Sequence, residues 1–267
     1  MDKVLLQAPV FLLIFVRCFG MIMTLPLFSM RSISRIAKIA LAGYMAFFIF
    51  GASDLSFYLD ALNDEGTSSM IYFLYLVGEG LIGITFGFLI TLMFSAFSSA
   101  GQFVAFQMGF GAASAYDSLS QIENPLMGQF FNLMAMLVFM QTKWFQKLFL
   151  GVLSTSFQTV NIFNMVEQRQ TVINFLLKGL TNLFADALII SLPVMGTLLL
   201  ITLCTGLLTK AAPQMNLLSE GFPIMILVAF YVIFTFIPGL TDFFVRSFSS
   251  GFADIQNLFI QLSGGIK

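Results

Sequence analysis

Long apolar stretches separated by short polar connections dominate the pattern of hydrophobic and polar positions along the chain. A helix that crosses a bilayer needs about 20 consecutive apolar residues, because each residue advances it by about 1.5 Å through roughly 30 Å of hydrocarbon. Six stretches reach that length: residues 4–28, 39–59, 70–97, 130–153, 172–208 and 222–248. The pattern therefore predicts an all-α fold, that of a multi-pass helical membrane protein.

The fifth stretch, 172–208, is too long for one ordinary span, since a continuous helix of that length would measure about 55 Å. Pro193 lies near its centre, and a proline inside a helix removes a backbone hydrogen bond and can kink or divide the helix. The pattern leaves two alternatives, six spans or seven.

The connections alternate in charge, which predicts an orientation. Connection 29–38 holds three bases and no acid, whereas 53–69 holds four acids and no base. The positive-inside rule places the first connection in the cytoplasm and the amino terminus outside, and with six spans it also makes Lys210 cytoplasmic. The first stretch exceeds the 7–15-residue core of a signal peptide, and no A-x-A site follows before Arg31, which predicts a retained first helix.

Charged side chains lie near the middle of four stretches, where contact with lipid is least favourable. A charge at the bilayer centre costs roughly 2.5–3.5 kcal/mol on the insertion scale. The residues concerned are Arg17, Glu79, Lys178 and Asp186, with Lys143 and Lys147 in the fourth stretch. We expect these side chains to be buried against protein or water.

Three glycines in the third stretch form one face of a helix. Gly80, Gly83 and Gly87 fall at i, i+3 and i+7 and include a GxxxG pattern, which lets another backbone approach closely. That backbone belongs either to this chain or to another subunit.

A polar stripe runs along the fifth stretch. Lys178, Asn182 and Asp186 fall at i, i+4 and i+8, on one helical face. The stripe is either satisfied at a helix junction or turned toward a partner or an aqueous channel.

The segment 98–129 differs from the rest of the chain because it is rich in Gly, Ser, Ala and Gln. Its scattered aromatic residues argue against disorder, and a long loop in a compact protein is usually functional. Small residues permit close approach and movement, which suits a re-entrant element that lines a cavity. The alternative is a plain connection outside the membrane.

Composition narrows the function classes. The chain is 58% hydrophobic and 9% charged, with a net charge of −1 and no basic run, which excludes ordinary soluble domains and argues against nucleic-acid binding. Histidine is absent, so the commonest general base and metal ligand are missing, and we expect no enzyme activity and no cofactor. Cys18 and Cys204 lack CxxC spacing and are either two buried hydrophobes or a disulfide.

A motif in the last third carries a family resemblance. Residues 205–216 read TGLLTKAAPQMN, followed by Gly221-Phe222-Pro223. The order resembles the signature of the FliR family, membrane components of the flagellar type III export apparatus whose injectisome counterparts are called SctT. The segments 101–109 and 125–139 resemble the same family. Two departures are Ser118, where members often have proline, and 141–144, where many read Asn-Gly-His.

The resemblance implies an assembly. FliR-like chains form a helical export gate with FliP and FliQ subunits, FlhB docks at the cytoplasmic side, and unfolded proteins pass through the centre. By this likeness, residues 1–185 are a FliP-like part with a central loop at about 98–129, and 186–267 are a FliQ-like hairpin and tail. The implied location is the bacterial inner membrane, in the flagellar basal body.

The resemblance also implies roles for individual residues. The central loop acts as a plug in the lumen, here about 106–122, in which glycine and alanine supply mobility and aromatic side chains the seal. The plug residues are Phe106, Gln107, Met108, Gly109, Phe110, Gly111, Tyr116 and Asp117. The expected subunit contacts are Arg17, Glu79, Gly83, Gly87, Lys178, Asp186, Lys210, Pro213 and Gln214.

Three other functions remain open. The chain could be the injectisome subunit used in virulence. A secondary transporter would use Arg17, Glu79 and the polar stripe to bind a small substrate or a proton, although no internal repeat is visible. An intramembrane enzyme would need a nucleophile–base or carboxylate pair, and no such spacing occurs.

Overall fold

The computed structural model describes residues 2–29, 33–52, 70–110, 126–211 and 221–263, and in these ranges every regular element is a helix. The elements are α1 Asp2–Thr24, α2 Pro26–Ser29, α3 Arg35–Ala52, α4 Met70–Gln107, α5 Leu126–Gln141, α6 Trp144–Gln146, a π-helix Lys147–Leu153, α7 Ser154–Thr159, α8 Ile162–Glu167, α9 Arg169–Ala211 and α10 Phe222–Leu262. The predicted all-α fold is confirmed.

Three of the described helices are long and apolar enough to cross a membrane. They are α4, α9 and α10, with 38, 43 and 41 residues. At 1.5 Å per residue each reaches roughly 60 Å, well beyond the hydrocarbon thickness. Two shorter apolar helices, Ala8–Thr24 and Leu126–Gln141, accompany them. The described part of stretch 39–59 belongs to α3.

A division of the fifth stretch at Pro193 is wrong. Helix α9 continues through Pro193, as α10 continues through Pro238. A proline removes one backbone hydrogen bond, and an apolar helix tolerates this loss where neighbouring groups satisfy the freed carbonyl. Stretch 172–208 is therefore one helix.

A single span over 130–153 is also wrong. Helix α5 ends at Gln141, and Lys143 adopts the left-handed conformation with φ 59°. The Thr142 hydroxyl donates to the Val138 carbonyl at 2.7 Å and so satisfies a backbone group of the last turn. The chain then resumes as α6 and the π-helix. The polar run 141–143 therefore ends the apolar helix, and Lys143 and Lys147 follow it.

The expected loop 98–129 is shorter than its composition suggests. Helix α4 extends to Gln107 and α5 begins at Leu126. The small residues mark a close helix crossing instead, because a Cβ at Gly101 would lie 2.6 Å from the Gly128 Cα and N atoms. Only the part between these helices remains a connection, and residues 111–125 lie outside the described ranges.

The chain folds into two compact units that are interleaved in sequence. Unit 1 comprises Met1–Leu92, Lys143–Gly179 and Ser250–Lys267, and unit 2 comprises Met93–Thr142 and Leu180–Ser249. Each of the three long helices contributes residues to both units. The predicted division into a FliP-like part, 1–185, and a FliQ-like part, 186–267, rests on resemblance and not on packing. It stays a prediction.

In unit 1, α1 packs along α3 and against α4. The inward face of α1 is almost fully buried, as Leu13, Ile14 and Met21 illustrate. Phe86 of α4 meets Phe259 of α10 edge to face, with ring centroids 5.2 Å apart. Helix α4 therefore contacts both α1 and α10 in unit 1.

The core of unit 2 is a cluster of phenylalanines from three helices. Phe94 and Phe97 of α4, Phe139 of α5, and Phe244 and Phe248 of α10 are all at most 2% exposed. Their ring centroids are 4.3–5.4 Å apart in five pairs. Such offset and edge-to-face pairs add about 0.5–1.5 kcal/mol each beyond area burial, so the cluster fixes the register of these helices.

Candidate functional site

The two mid-helix charges of α1 and α4 pair inside unit 1. Arg17 Nε donates a hydrogen bond to Glu79 Oε2, and the two side chains are 0% and 1% exposed. Each ion neutralises the other away from solvent. The expectation that these charges are buried against protein is met by a partner in the same chain.

Arg17 also binds the end of α7. Its Nη1 donates to the carbonyl and hydroxyl oxygens of Ser156 at 2.8 and 3.2 Å, and Nη2 donates to the Val160 carbonyl at 2.9 Å. The guanidinium carbon lies 4.2 Å from the centroid of the Phe157 ring. The Ser156 carbonyl also accepts from the Val160 N–H at 3.0 Å, and Val160 directly follows α7. A cation is favourable at this end of a helix. One side chain therefore joins α1, α4 and α7.

The glycine face of α4 explains how Arg17 reaches Glu79. A Cβ at Gly83 would overlap the Arg17 backbone carbonyl, and one at Gly87 would overlap the Thr24 hydroxyl. Thr24 and α4 are joined further by the Thr91 hydroxyl, which donates to the Thr24 carbonyl at 2.7 Å. The approach of α1 to this face brings the two charges together one turn away.

The glycine face is expected to meet a backbone either of this chain or of another subunit. In the described residues it meets α1 of the same chain. With Gly83 and Gly87 covered by α1, and with Arg17 and Glu79 buried beside them, a direct contact of these four residues with another subunit stays a prediction.

The expected plug begins at the end of α4. Phe106 is 66% exposed, whereas Met108 is fully buried. Gly109 has φ +89°, and a Cβ there would overlap the ring of Phe222. Glycine is required here, because it caps the helix in a left-handed conformation and leaves room for that ring. The expected plug residues Gly111, Tyr116 and Asp117 lie outside the described residues.

The polar stripe of α9 is paired with α10 at both ends. In unit 1, Lys178 Nζ binds Asp254 Oδ1 at 2.9 Å, with side chains 58% and 23% exposed. In unit 2, Ser247 Oγ donates to Asp186 Oδ2 at 2.7 Å. Asn182, between them, is exposed. The ends of the stripe thus fit the helix-junction alternative, while a partner contact stays a prediction.

The signature motif is described only at its start. Lys210 is exposed in the last turn of α9, and Pro213 and Gln214 lie outside the described residues. Of the two cysteines, Cys18 is buried and Cys204 is exposed, and both are free thiols. A disulfide between them is therefore wrong, as is a buried Cys204.

The described residues hold no group of three or more Cys, Asp or Glu side chains that could bind a metal ion. What sequence reasoning missed is the Ser156 and Val160 carbonyls, which complete the site around Arg17. Backbone acceptors carry no residue signature, and the only available signal is that a buried arginine needs several acceptors.

Comparison with known proteins adds the family. Residues 8–251 match the model of the family described as bacterial export proteins, family 1. The chain is 31% identical to the flagellar biosynthetic protein FliR of Bacillus subtilis (strain 168), over 87% of this chain and 88% of the relative. It is 28% identical to FliR of Escherichia coli (strain K12), over 92% and 91%.

A relative with a different name also matches. The surface presentation of antigens protein SpaR of Shigella flexneri is 30% identical, over 72% of this chain and 73% of the relative. The family model covers most of the chain, including α4, α9 and most of α1 and α10. The chain belongs to the bacterial export proteins, family 1.

Proposed function

We propose that this chain is a structural and gating subunit of the flagellar type III protein export gate, without catalytic activity of its own. The observation that carries the proposal is the family match over residues 8–251 together with relatives named flagellar biosynthetic protein FliR along most of their length. FliP-like and FliQ-like subunits would complete the gate, an FlhB-like subunit would dock on it, and unfolded flagellar proteins would pass through. The proposed location is the bacterial inner membrane, at the flagellar basal body.

The exposure of two long helices supports an assembly. Each long helix contains an apolar segment of 18 residues. The buried share of that segment is 28% in α9 and 17% in α10, against 56% in α4. The exposed apolar side chains include Leu192, Leu199 and Leu203 of α9 and Leu227, Tyr231 and Phe234 of α10. Apolar faces of this size need lipid or protein partners. FliP-like and FliQ-like helices would provide the latter.

The buried ion pair supports a structural role over a secondary transporter. A transporter would use Arg17 and Glu79 to bind a substrate or to carry a proton. Here the Arg17 donors are bound to Glu79 and to the backbone at the end of α7. An arginine engaged in this way holds helices together.

The end of α4 supports the gating part of the proposal. Met108 is buried and Gly109 packs against Phe222, so the base of the proposed plug at 106–122 is anchored to α10. The anchor would fix where the segment starts, and the glycines and alanines of 109–115 would let it move aside for a substrate. Exposed Phe106 is available to the lumen or to a neighbouring subunit.

Removal of the gene in the source bacterium tests the flagellar function. We expect no flagellin in the culture supernatant, normal flagellin inside the cells, and recovery when the full chain is supplied from a plasmid. The match to SpaR makes an injectisome subunit the second candidate. Normal flagellin export with loss of another secreted set would favour that candidate over the flagellar one.

A further inference from the structure

A pocket of about 400 Å³ lies in unit 1, where α6 runs into the π-helix beside α10. Its lining includes Trp144, Gln146, Lys147, Leu150, Gly151 and Gln256. None of the expected site residues lies in it. The family match covers the segment but assigns nothing to the pocket.

The backbone at this junction makes the space. Lys143 in the left-handed conformation turns the chain after α5, and the wider π-helix follows one turn later. A Cβ at Gly151 would meet no atom within 4 Å, so the wall is open at that point. Trp144 stacks on Phe252 at 4.7 Å with an interplanar angle of 25°, which holds the indole ring at the edge of the pocket. Single π-helical turns frequently occur at functional sites.

The polar groups of the lining favour an anion. Lys147 Nζ lies 4.0 Å from the centroid of the Trp144 ring, and Gln146 and Gln256 add amide donors. The lining, which belongs wholly to the described residues, contains no carboxylate. The Asp254 carboxylate, two residues from both Phe252 and Gln256 on α10, is engaged by Lys178 at 2.9 Å. Exposed Leu150 adds an apolar surface beside these donors.

The position along the chain identifies the kind of anion. The junction directly follows the apolar helix Leu126–Gln141 and reads Lys-Trp-Phe-Gln-Lys. Tryptophan and lysine at the end of an apolar helix are typical of the membrane–water interface, where phospholipid headgroups lie. We propose that this pocket binds the phosphate headgroup of an anionic phospholipid. Lys147 is the cation, the two glutamines donate hydrogen bonds, and Leu150 and Trp144 contact the first apolar carbons.

The chain contains a single tryptophan, Trp144, so its fluorescence reports on this pocket alone. The purified full chain in mild detergent is titrated with dibrominated phosphatidylglycerol or with dibrominated phosphatidylcholine, whose bromines quench tryptophan at short range. We expect half-maximal quenching at an about fivefold lower mole fraction of the anionic lipid, the effect of about one lysine near anionic lipid.

Three variants make the result specific. Lys147→Gln should abolish the preference for the anionic lipid and Lys147→Arg should keep it. Arg169→Gln, which removes another exposed cation of unit 1, should also keep it. Unaltered size-exclusion profiles verify the fold of each variant. Equal quenching by both lipids, or an unchanged preference in Lys147→Gln, overturns the proposal.

A competition arm separates a lipid from a soluble phosphate. Inorganic phosphate at 100-fold excess over the bound lipid should leave the quenching in place, because it lacks the apolar carbons that Leu150 and Trp144 contact. Full relief of quenching by inorganic phosphate would assign the pocket to a soluble phosphate and overturn the lipid proposal. Both the lipid titration and the phosphate competition use the isolated chain, so their results do not depend on the proposed flagellar function.

Discussion

Arg17 brings a charge into an apolar helix, and its fork of N–H donors makes that charge tolerable. Its three nitrogens donate to two other segments of the chain, namely to Glu79 of α4 and to Ser156 and Val160 at the end of α7. Lysine offers one nitrogen on a flexible stem and could not span these acceptors. The site therefore depends on arginine for geometry as much as for charge.

Glu79→Leu should destabilise the wild-type chain far more than it destabilises a chain that already carries Arg17→Met. Glu79→Leu in the wild-type chain should lower the free energy of unfolding by about 3–5 kcal/mol, because the Arg17 charge is left buried without its carboxylate. In an Arg17→Met background the same change should cost less than about 1 kcal/mol. Thermal unfolding of the purified variants in one detergent measures the difference. Arg169→Met, at an exposed arginine, is the matched control background. Equal losses in the Arg17→Met and Arg169→Met backgrounds would refute the coupling.

Two glycine-to-alanine changes should have opposite signs. Gly83→Ala should destabilise the chain by about 1–3 kcal/mol, because the added Cβ overlaps the Arg17 backbone. Gly196→Ala, at a position in α9 where a Cβ meets nothing within 4 Å, should stabilise it by up to about 1 kcal/mol through helix propensity. Apparent melting temperatures of the two variants test these opposite signs. A lower melting temperature for Gly196→Ala as well would contradict the stabilisation expected from helix propensity.

At the scale of helices, the criterion of about 20 consecutive apolar residues locates the centres of α4, α9 and α10 but not their ends. The last part of α10 beyond residue 248 is amphipathic, with Phe252, Ile255 and Phe259 buried at helical spacing among exposed polar residues. A search for continuous apolar runs stops before such a segment. The small residues near Gly101 likewise resemble a loop until a second helix is found against them.

The same limit applies to the candidate site. The sequence shows that Arg17 and Glu79 must be satisfied away from lipid, since both lie in apolar stretches. It does not show that they satisfy each other across 62 positions, because pairing over that separation depends on how α1 crosses α4. The glycine face indicates that another helix crosses closely. Only the folded structure identifies that helix as α1 of the same chain.

Removal of part of the segment after α4 should open the proposed export gate. Deletion of residues 111–122 leaves the anchor at Met108 and Gly109 in place and takes away most of the proposed plug. Cells that produce the variant together with its FliP-like and FliQ-like partners should show raised membrane conductance and sensitivity to small ions. Production of the variant without the partners is the control. Unchanged conductance in the full assembly would contradict a plug.

At the scale of the whole molecule, the burial of the long helices is uneven. In an apolar segment of 18 residues, α4 is more than half buried within the chain, whereas the corresponding segments of α9 and α10 are mostly uncovered. A charged residue on α4 is therefore satisfied by this chain, as Glu79 is. Surface residues of α9 and α10 depend on whatever surrounds the chain. Partner contacts should accordingly concentrate on α9 and α10.

The native cysteines allow that expectation to be measured without new reporter residues. Cys204 is exposed on α9 beside Leu203 and Leu207, which are 59% and 69% exposed, whereas Cys18 is buried. In one detergent, a small maleimide should label the isolated chain at Cys204, and co-production with FliP-like and FliQ-like partners should reduce that labelling at least fivefold. Cys204→Ser should remove nearly all labelling in both preparations, because Cys18 is shielded. Labelling that stays the same with and without partners would mean that this part of α9 faces lipid, and the assembly surface would then have to be sought on α10.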